Sequence, residues 1–488
     1  MIAAPRATTT RTPLLFASLI LGSLCILVGA VVAGHSVQLA VVAVGLATIT
    51  ALAGLETIAW TRLIVGLILV ILFIPIRRYS LPANLPFQLE PYRLFVGLLV
   101  LGWTASLMVD SRTRFRRTGL EAPLALIIIG MLSSIVANTG RVANVSENVN
   151  KSLMFFLSFL LVLWLIASVV RRLDEVELLV KTLVLGGAIV AVFAIVEART
   201  GFNAFNHLSR LIPFLSGGGI EGEAFVRLGT GKLRVFGSAE HPIALSAALS
   251  MLVPLAIYLA RRYEQRRWAV CAVALVAACA ATLSRTGITM LVVIGVVFLW
   301  LRPRETRRLW PAILPALVVV HFALPGTLGS IKHSFMPTGG LVAEQRSEAG
   351  KSGSGRLADL GVGLQEWKLQ ALFGQGYATR VVDASSTVAQ KNIVDNQWLG
   401  TLLELGMIGF VGWLWFFGRA IRRFAREAKR DYSDRGWLLV SITAAVAAYA
   451  VGMFTYDAFS FIQVTFLLFI LIALGSALLA ERPTPRPV

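Results

Sequence analysis

Apolar runs of about twenty residues, divided by short basic separators, recur along almost the whole chain. A helix needs about 20 apolar residues to cross about 30 Å of hydrocarbon. About fourteen segments qualify: 14–33, 36–55, 60–76, 92–108, 120–138, 152–170, 177–197, 241–260, 268–284, 286–301, 309–326, 396–418, 437–455 and 459–480. The pattern predicts an all-α, polytopic membrane protein. Seven helices come first, then a polar stretch over Arg199–Glu240, four helices, a second polar stretch over Thr327–Asp395, and three helices. The first apolar run follows Arg6 and Arg11 and is longer than a signal-peptide core, so it reads as a retained helix.

Composition agrees with the pattern. Hydrophobic residues make up 57% of the chain, charged residues 15%, and mean hydropathy is +0.76, outside the soluble range. The net charge of +19 would suggest a nucleic-acid partner, but its placement argues against one. With the first residues inside, about 26 basic residues fall in alternate loops, the richest being Arg419 to Arg435. Only Arg77, Arg78, Arg93, Arg141, Lys151 and Arg285 fall in the short loops between them. That is the positive-inside distribution, with Arg77 and Arg78 as a local exception. It puts both long polar stretches on the outer face and implies membrane lipids, not nucleic acid, as the surrounding partner. Cys25, Cys271 and Cys279 all lie in apolar runs, so neither a disulfide framework nor a thiolate metal site is expected.

Chemistry is expected in the polar stretches. The first contains Ser216-Gly217-Gly218-Gly219, a flexible turn, and ends in Arg234-Val235-Phe236-Gly237 and His241-Pro242. The second predicts a helix over Arg356–Leu372, capped by Ser354, with Leu357, Leu360, Leu364, Trp367 and Leu372 on one side. Arg285 sits in a turn between two apolar runs, where a charge costs a few kcal/mol unless it snorkels or meets an anion. Arg234, Arg285 and Arg356 could form a diphosphate clamp, because guanidinium forks match phosphate oxygens. Asp395 and Asn396 open an apolar helix; either could cap it, and Asp395 could instead serve as a general base. Glu404, inside that run, should face protein or water. His207, His241 and His333 are too scattered for a metal site.

These motifs, in this order, resemble the O-antigen ligase and O-antigen polymerase family of bacterial envelope glycosyltransferases. The matching pieces are Arg234-Val235-Phe236-Gly237, His241-Pro242, Leu283-Ser284-Arg285-Thr286-Gly287, Gly355-Arg356, Phe373-Gly374-Gln375-Gly376, Asp395-Asn396 and Leu403-Glu404-Leu405-Gly406-Met407-Ile408-Gly409. The resemblance covers roughly residues 230–420, between an N-terminal part (1–229) and a C-terminal helical part (421–488). It implies a C-type glycosyltransferase fold in the bacterial inner membrane with its active site on the outer face. A polyprenyl diphosphate-linked glycan is the implied donor, and a glycan or lipid-linked sugar hydroxyl the acceptor. No cofactor or metal is implied. Arg234, Arg285, Arg356, His241, Asn396 and Glu404 are the implied substrate-binding residues and Asp395 the catalytic one. Relatives of the ligase kind have His where this chain has Asp395, which tilts the reading towards a polymerase, with a flippase and a chain-length regulator as further partners. The rival reading is a lipid-linked oligosaccharide flippase. That class needs internal repeats and a polar midplane cavity, and the sequence shows no repeat.

Overall fold

A computed structural model of the chain describes residues 60–82, 89–109, 113–217, 225–226, 231–309, 311, 318, 321–327, 329, 358–380 and 395–480. The helices of ten residues or more are, in chain order, α1 (Trp60–Phe73), α2 (Pro91–Val109), α3 (Glu121–Ala137), α4 (Ser146–Val169), α5 (Leu173–Thr200), α6 (Pro242–Tyr263), α7 (Arg266–Ala281), α8 (Arg285–Leu301), α9 (Ala358–Leu369), α10 (Gln397–Arg430), α11 (Asp434–Gly452) and α12 (Ile462–Ala480). Eleven of the fourteen expected segments coincide with these helices; 14–33, 36–55 and most of 309–326 lie outside the described residues. Seven helices, α2, α4, α5, α6, α10, α11 and α12, are long and apolar enough to cross a membrane, and α1, α3 and α8 are apolar but shorter. The protein is therefore an all-α, multi-pass membrane protein, with seven such helices among the described residues where about fourteen spans were expected. Part of the difference is length: α1, α3, α7 and α8 have 14, 17, 16 and 17 residues, short of a full crossing.

Local chemistry sets the ends of the helices. Asp174 and Glu175 occupy the first turn of α5, and the Glu175 carboxylate accepts the amides of Arg171 and Arg172 at 2.7 and 3.1 Å. The helix stops at Gly201, whose left-handed backbone (φ 73°) closes onto the Glu197 carbonyl. Pro242 begins α6, and the His241 ring accepts the Ile243 amide at 3.1 Å. Central position follows from apolar character on every side. α12 is such a helix, buried over 94% of its apolar window, and its Phe466 and Phe469 meet the Phe159 ring at 4.7 and 5.5 Å. α3 and α10 approach backbone to backbone, since a Cβ on Gly130 would lie 2.8 Å from the Gly409 Cα.

Two sets of loops gather at opposite ends of the bundle. At the basic end, Asp434 pairs with Arg261 and Arg262 at 3.4 and 3.2 Å, and Arg262 reaches Glu177 at 3.4 Å. Arg419 donates to the Gly119 carbonyl at 2.6 Å, and Arg302 to those of Ala428 and Asp431, both at 2.5 Å. At the other end, Arg199 donates to Ala323 and Phe322 carbonyls at 2.5 and 2.9 Å, and Lys232 to Pro325 at 2.8 Å. The basic separators read as inner loops thus contact one another, and the first long polar stretch contacts the end of the run 309–326.

The expected flexible turn at Ser216–Gly217 is instead a strand, β2, pairing antiparallel with β1 (Tyr79–Ser80). Gly218 and Gly219 lie outside the described residues. Arg78, beside this pair, is buried; it donates to Asn206 Oδ1 at 2.9 Å, to the Gly237 carbonyl at 3.4 Å and to the Ala239 carbonyl, and lies over the Phe236 ring at 4.6 Å. Burial lowers its pKa to about 10. A lysine ammonium cannot span these oxygens, so Arg78→Lys is expected to cost about 1–3 kcal/mol, read as a fall in the thermal midpoint in detergent.

Candidate functional site

The site is built on how α10 begins and how it breaks. Asn396 caps the helix, its side chain accepting the Leu399 amide at 3.2 Å. Gln397 then fastens the first turn to the α11–α12 loop. Its amide donates to Met453 and Tyr456 carbonyls at 2.8 and 3.1 Å, and its Oε1 accepts the Phe459 amide at 2.7 Å. Ten residues into the helix, Gly406 departs from helical geometry at φ 63°, ψ −162°, a region only glycine occupies readily.

A break inside an apolar helix frees backbone groups that must find partners away from lipid. The Ala371–Gln375 segment supplies them. Met407 and Ile408 amides donate to Ala371 and Leu372 carbonyls at 2.9 and 3.4 Å, and the Gln375 amide donates to the Leu403 carbonyl at 2.8 Å. Ser134 Oγ on α3 donates to the Glu404 carbonyl at 2.5 Å. Gly374 and Gly406 are pressed together: a Cβ on Gly374 would overlap the Glu404 carbonyl, and one on Gly406 the Leu372 carbonyl. The Glu404 side chain sits beside the break, accepting the Ala378 amide at 3.2 Å.

A cavity of about 810 Å³ opens there, lined by Glu404, Asp457, Glu90, Glu147, Arg77, Arg93, Lys151 and Arg380 among polar residues, and by Phe155, Phe156, Phe159, Tyr377, Trp413 and Phe459 among aromatic ones. Most of its charges are paired. Arg77 meets Glu240 at 3.2 Å, Arg93 meets Glu90 at 2.8 Å, Lys151 meets Glu147 at 2.6 Å and Arg380 meets Glu366 at 2.9 Å. The Arg380 guanidinium holds the Glu366 carboxyl low although burial opposes it. Asp457 differs. Burial, reinforced by the Asp395 carboxylate, pushes it up to about 6 against the Ser460 hydroxyl and Arg77. Burial also pushes Glu240 up to about 7, with Glu90 adding to it and Arg77 opposing.

Of the residues singled out from sequence, Glu404 lines this cavity and Arg234, Arg285, His241, Asp395 and Asn396 do not. Asp395 is exposed just outside, close enough to Asp457 to act on its charge. Arg234 donates to the Thr282 carbonyl at 3.2 Å, three residues before Arg285, so these two arginines belong to one corner. His241 packs against Phe225 and Phe461 at 4.8 and 5.8 Å. Arg356, with His333 and the expected cap Ser354, lies outside the described residues. The loop helix is shorter than expected, Ala358–Leu369; of its expected apolar side, Leu364 and Leu372 are exposed and Leu360 and Trp367 are half-buried.

Sequence reasoning passed over Arg77, Glu90, Asp457 and Glu197, whose carboxylate accepts the Phe236 and Gly237 amides at 3.2 and 2.9 Å. The Arg77 signal was present as the exception to the positive-inside pattern. Glu197, an acid at the end of the apolar run 177–197, carried the same signal as Glu404; Glu90 and Asp457, single acids in short loops, carried none.

A helical bundle that alternates ends, breaks one long helix beside a carboxylate and opens an aromatic, ion-paired cavity there defines a multi-pass membrane protein with a polar cavity. Residues 270–414, under a third of the chain, match the family model described as O-antigen ligase, which supports the O-antigen ligase/polymerase family and, in general, a membrane enzyme of glycosyl transfer. No curated protein matches the chain. The matched stretch takes in Arg285, Gly374, Asp395, Glu404 and Gly406, and leaves out Arg77, Arg234 and Asp457.

Proposed function

We propose that the protein transfers a glycan from a polyprenyl diphosphate carrier to a sugar hydroxyl seated in the cavity, on the outer face of a bacterial cytoplasmic membrane. The observation that carries this reading is a joint: the hydroxyls of Thr286 and Thr455 lie 2.8 Å apart. Arg285 is one residue before Thr286 and Asp457 two after Thr455, so the arginine corner and the cavity carboxylate sit on adjoining segments. In this reading Arg234, Arg285 and Arg356 hold the diphosphate, whose oxygens match guanidinium forks. The cavity, whose cations are largely paired, takes the acceptor sugar, with aromatic rings against its apolar faces.

The acceptor hydroxyl gives its proton to a carboxylate as its oxygen attacks the anomeric carbon. The bond from that carbon to the diphosphate oxygen breaks, and polyprenyl diphosphate leaves with its charge on the arginines. We assign the base to Asp457, which lines the cavity, and give Asp395 the role of a neighbouring charge that sets when Asp457 ionises. Asp395 in place of the family's His favours a polymerase, fed by a flippase and paced by a chain-length regulator. The family match weighs for transfer over the flippase alternative. Sealed vesicles given a labelled polyprenyl diphosphate glycan test the reading. Label joined to acceptor glycan is the expected result; label carried across the membrane with no new glycosidic bond would overturn it.

Asp395→Asn separates the two carboxylates. Asn396 supplies the cap, so folding should hardly change. A base works only when ionised, so transfer by the unaltered protein should fall as pH drops through about 6. Without the Asp395 charge, Asp457 ionises more readily and that acid limb should move to lower pH. Loss of transfer at every pH in matched membranes would instead make Asp395 the base.

A further inference from the structure

We propose that a groove at the basic end of α10 binds the phosphate-bearing headgroup of an anionic phospholipid. The groove, about 580 Å³, is lined by Trp415, Gly418, Arg419, Arg422, Arg423 and Arg426. These positions recur at helical spacing, so four guanidinium groups share one side of the helix. Like charges so close repel one another unless an anion lies among them.

Two of the four are fixed in place. Arg419 donates to the Gly119 carbonyl at 2.6 Å and Arg423 to the Thr118 carbonyl. Gly119 has φ 75°, and a Cβ there would fall inside the Arg423 guanidinium, so the loop is shaped to admit it. Glu121, at the start of α3, is turned onto that loop, accepting the Thr118 and Gly119 amides at 2.5 and 3.1 Å. Glu427, next to Arg426 on the same helix, is half-buried and does not line the groove. Arg422 and Arg426 are exposed, and no hydrogen bond or ion pair among the described residues engages them. Each guanidinium offers five donors, most of them unspent here.

The apolar margin of the groove selects a lipid over a soluble anion. Leu414 and Trp415 are exposed one turn before Arg419, where the apolar part of α10 gives way to its basic tail. A tryptophan at such a boundary sits at headgroup level. A ligand held there meets hydrocarbon at one side and guanidinium groups at the other, which describes a phospholipid with a charged phosphodiester headgroup.

The test titrates the purified full-length chain in neutral detergent with dioctanoyl-phosphatidylglycerol, dioctanoyl-phosphatidylcholine and inorganic phosphate, reading the thermal midpoint at fixed ionic strength. Phosphatidylglycerol is expected to raise the midpoint where the other two do not. The Arg422→Gln/Arg426→Gln pair, which leaves the loop contacts intact, should need about 30-fold more of it. Arg307→Gln/Arg308→Gln removes the same charge from exposed positions of the short Pro303–Leu309 helix at the same end and should titrate as the unaltered protein does. Equal curves for the two double variants, or inorganic phosphate acting as well as phosphatidylglycerol, would overturn the proposal.

Discussion

Replacing Asp457 by Asn is expected to lower glycan transfer by about 10²–10⁴-fold at neutral pH, the usual contribution of a positioned base, while the protein accumulates normally. The change is nearly isosteric and removes a carboxylate that burial and Asp395 already make hard to ionise. The Ser460 hydroxyl, which now donates to Asp457 Oδ2, can donate to an amide oxygen as well. The fold should therefore tolerate the variant and the chemistry should not. Donor binding gives the second reading. Because the diphosphate is assigned to the arginine corner, Asp457→Asn should retain labelled polyprenyl diphosphate glycan that it cannot discharge. Transfer within a few-fold of the unaltered enzyme would move the base to Glu404, another carboxylate at the cavity wall.

Gly406→Ala should act through structure and lose both stability and transfer. The backbone at φ 63°, ψ −162° costs a residue with a side chain about 1–3 kcal/mol, and the new methyl would also overlap the Leu372 carbonyl. Relief requires the Ala371–Gln375 segment to move away, which strips partners from the Met407 and Ile408 amides and the Leu403 carbonyl. Each buried group so orphaned costs about 1–3 kcal/mol. The Glu404 side chain would lose its register against Ala378. A lowered thermal midpoint together with lost transfer checks this; an unchanged midpoint would mean that the break is not held as described.

The helices were legible because a bilayer imposes one period and one length on sequence, and α2, α4, α5, α6, α10, α11 and α12 obey it. The break in α10 was not, because Gly406 lies among apolar residues that continue the pattern on both sides. Its partner Gly374 was seen only as part of a family motif, since nothing local says that two glycines thirty-two positions apart will touch. Glu404 was found by the cost of a charge in hydrocarbon. Asp457 lies in a short loop where an acid costs nothing, so its burial, a product of tertiary packing, left no mark on the sequence. The misplaced arginines did leave one. Arg77 takes a left-handed backbone conformation (φ 65°), its amide donating to Glu90 at 2.8 Å while its side chain meets Glu240. Arg78 holds the Phe236–Ala239 turn. The departure from the charge rule was a record of those two tasks.

Gln397 grips the α11–α12 loop with both its backbone and its side chain, and this bears on modularity. A chain cut after residue 420 would keep the matched stretch whole yet lose Asp457, Phe459 and the carbonyls that Gln397 needs. The cavity would lose Asp457, Phe459, Ser460 and Phe469 from its lining. Recombination between relatives at that border should then yield inactive chimeras unless the last two helices travel with α10, so that inheritance of this activity is tied to a length of chain well beyond the stretch by which it is recognised.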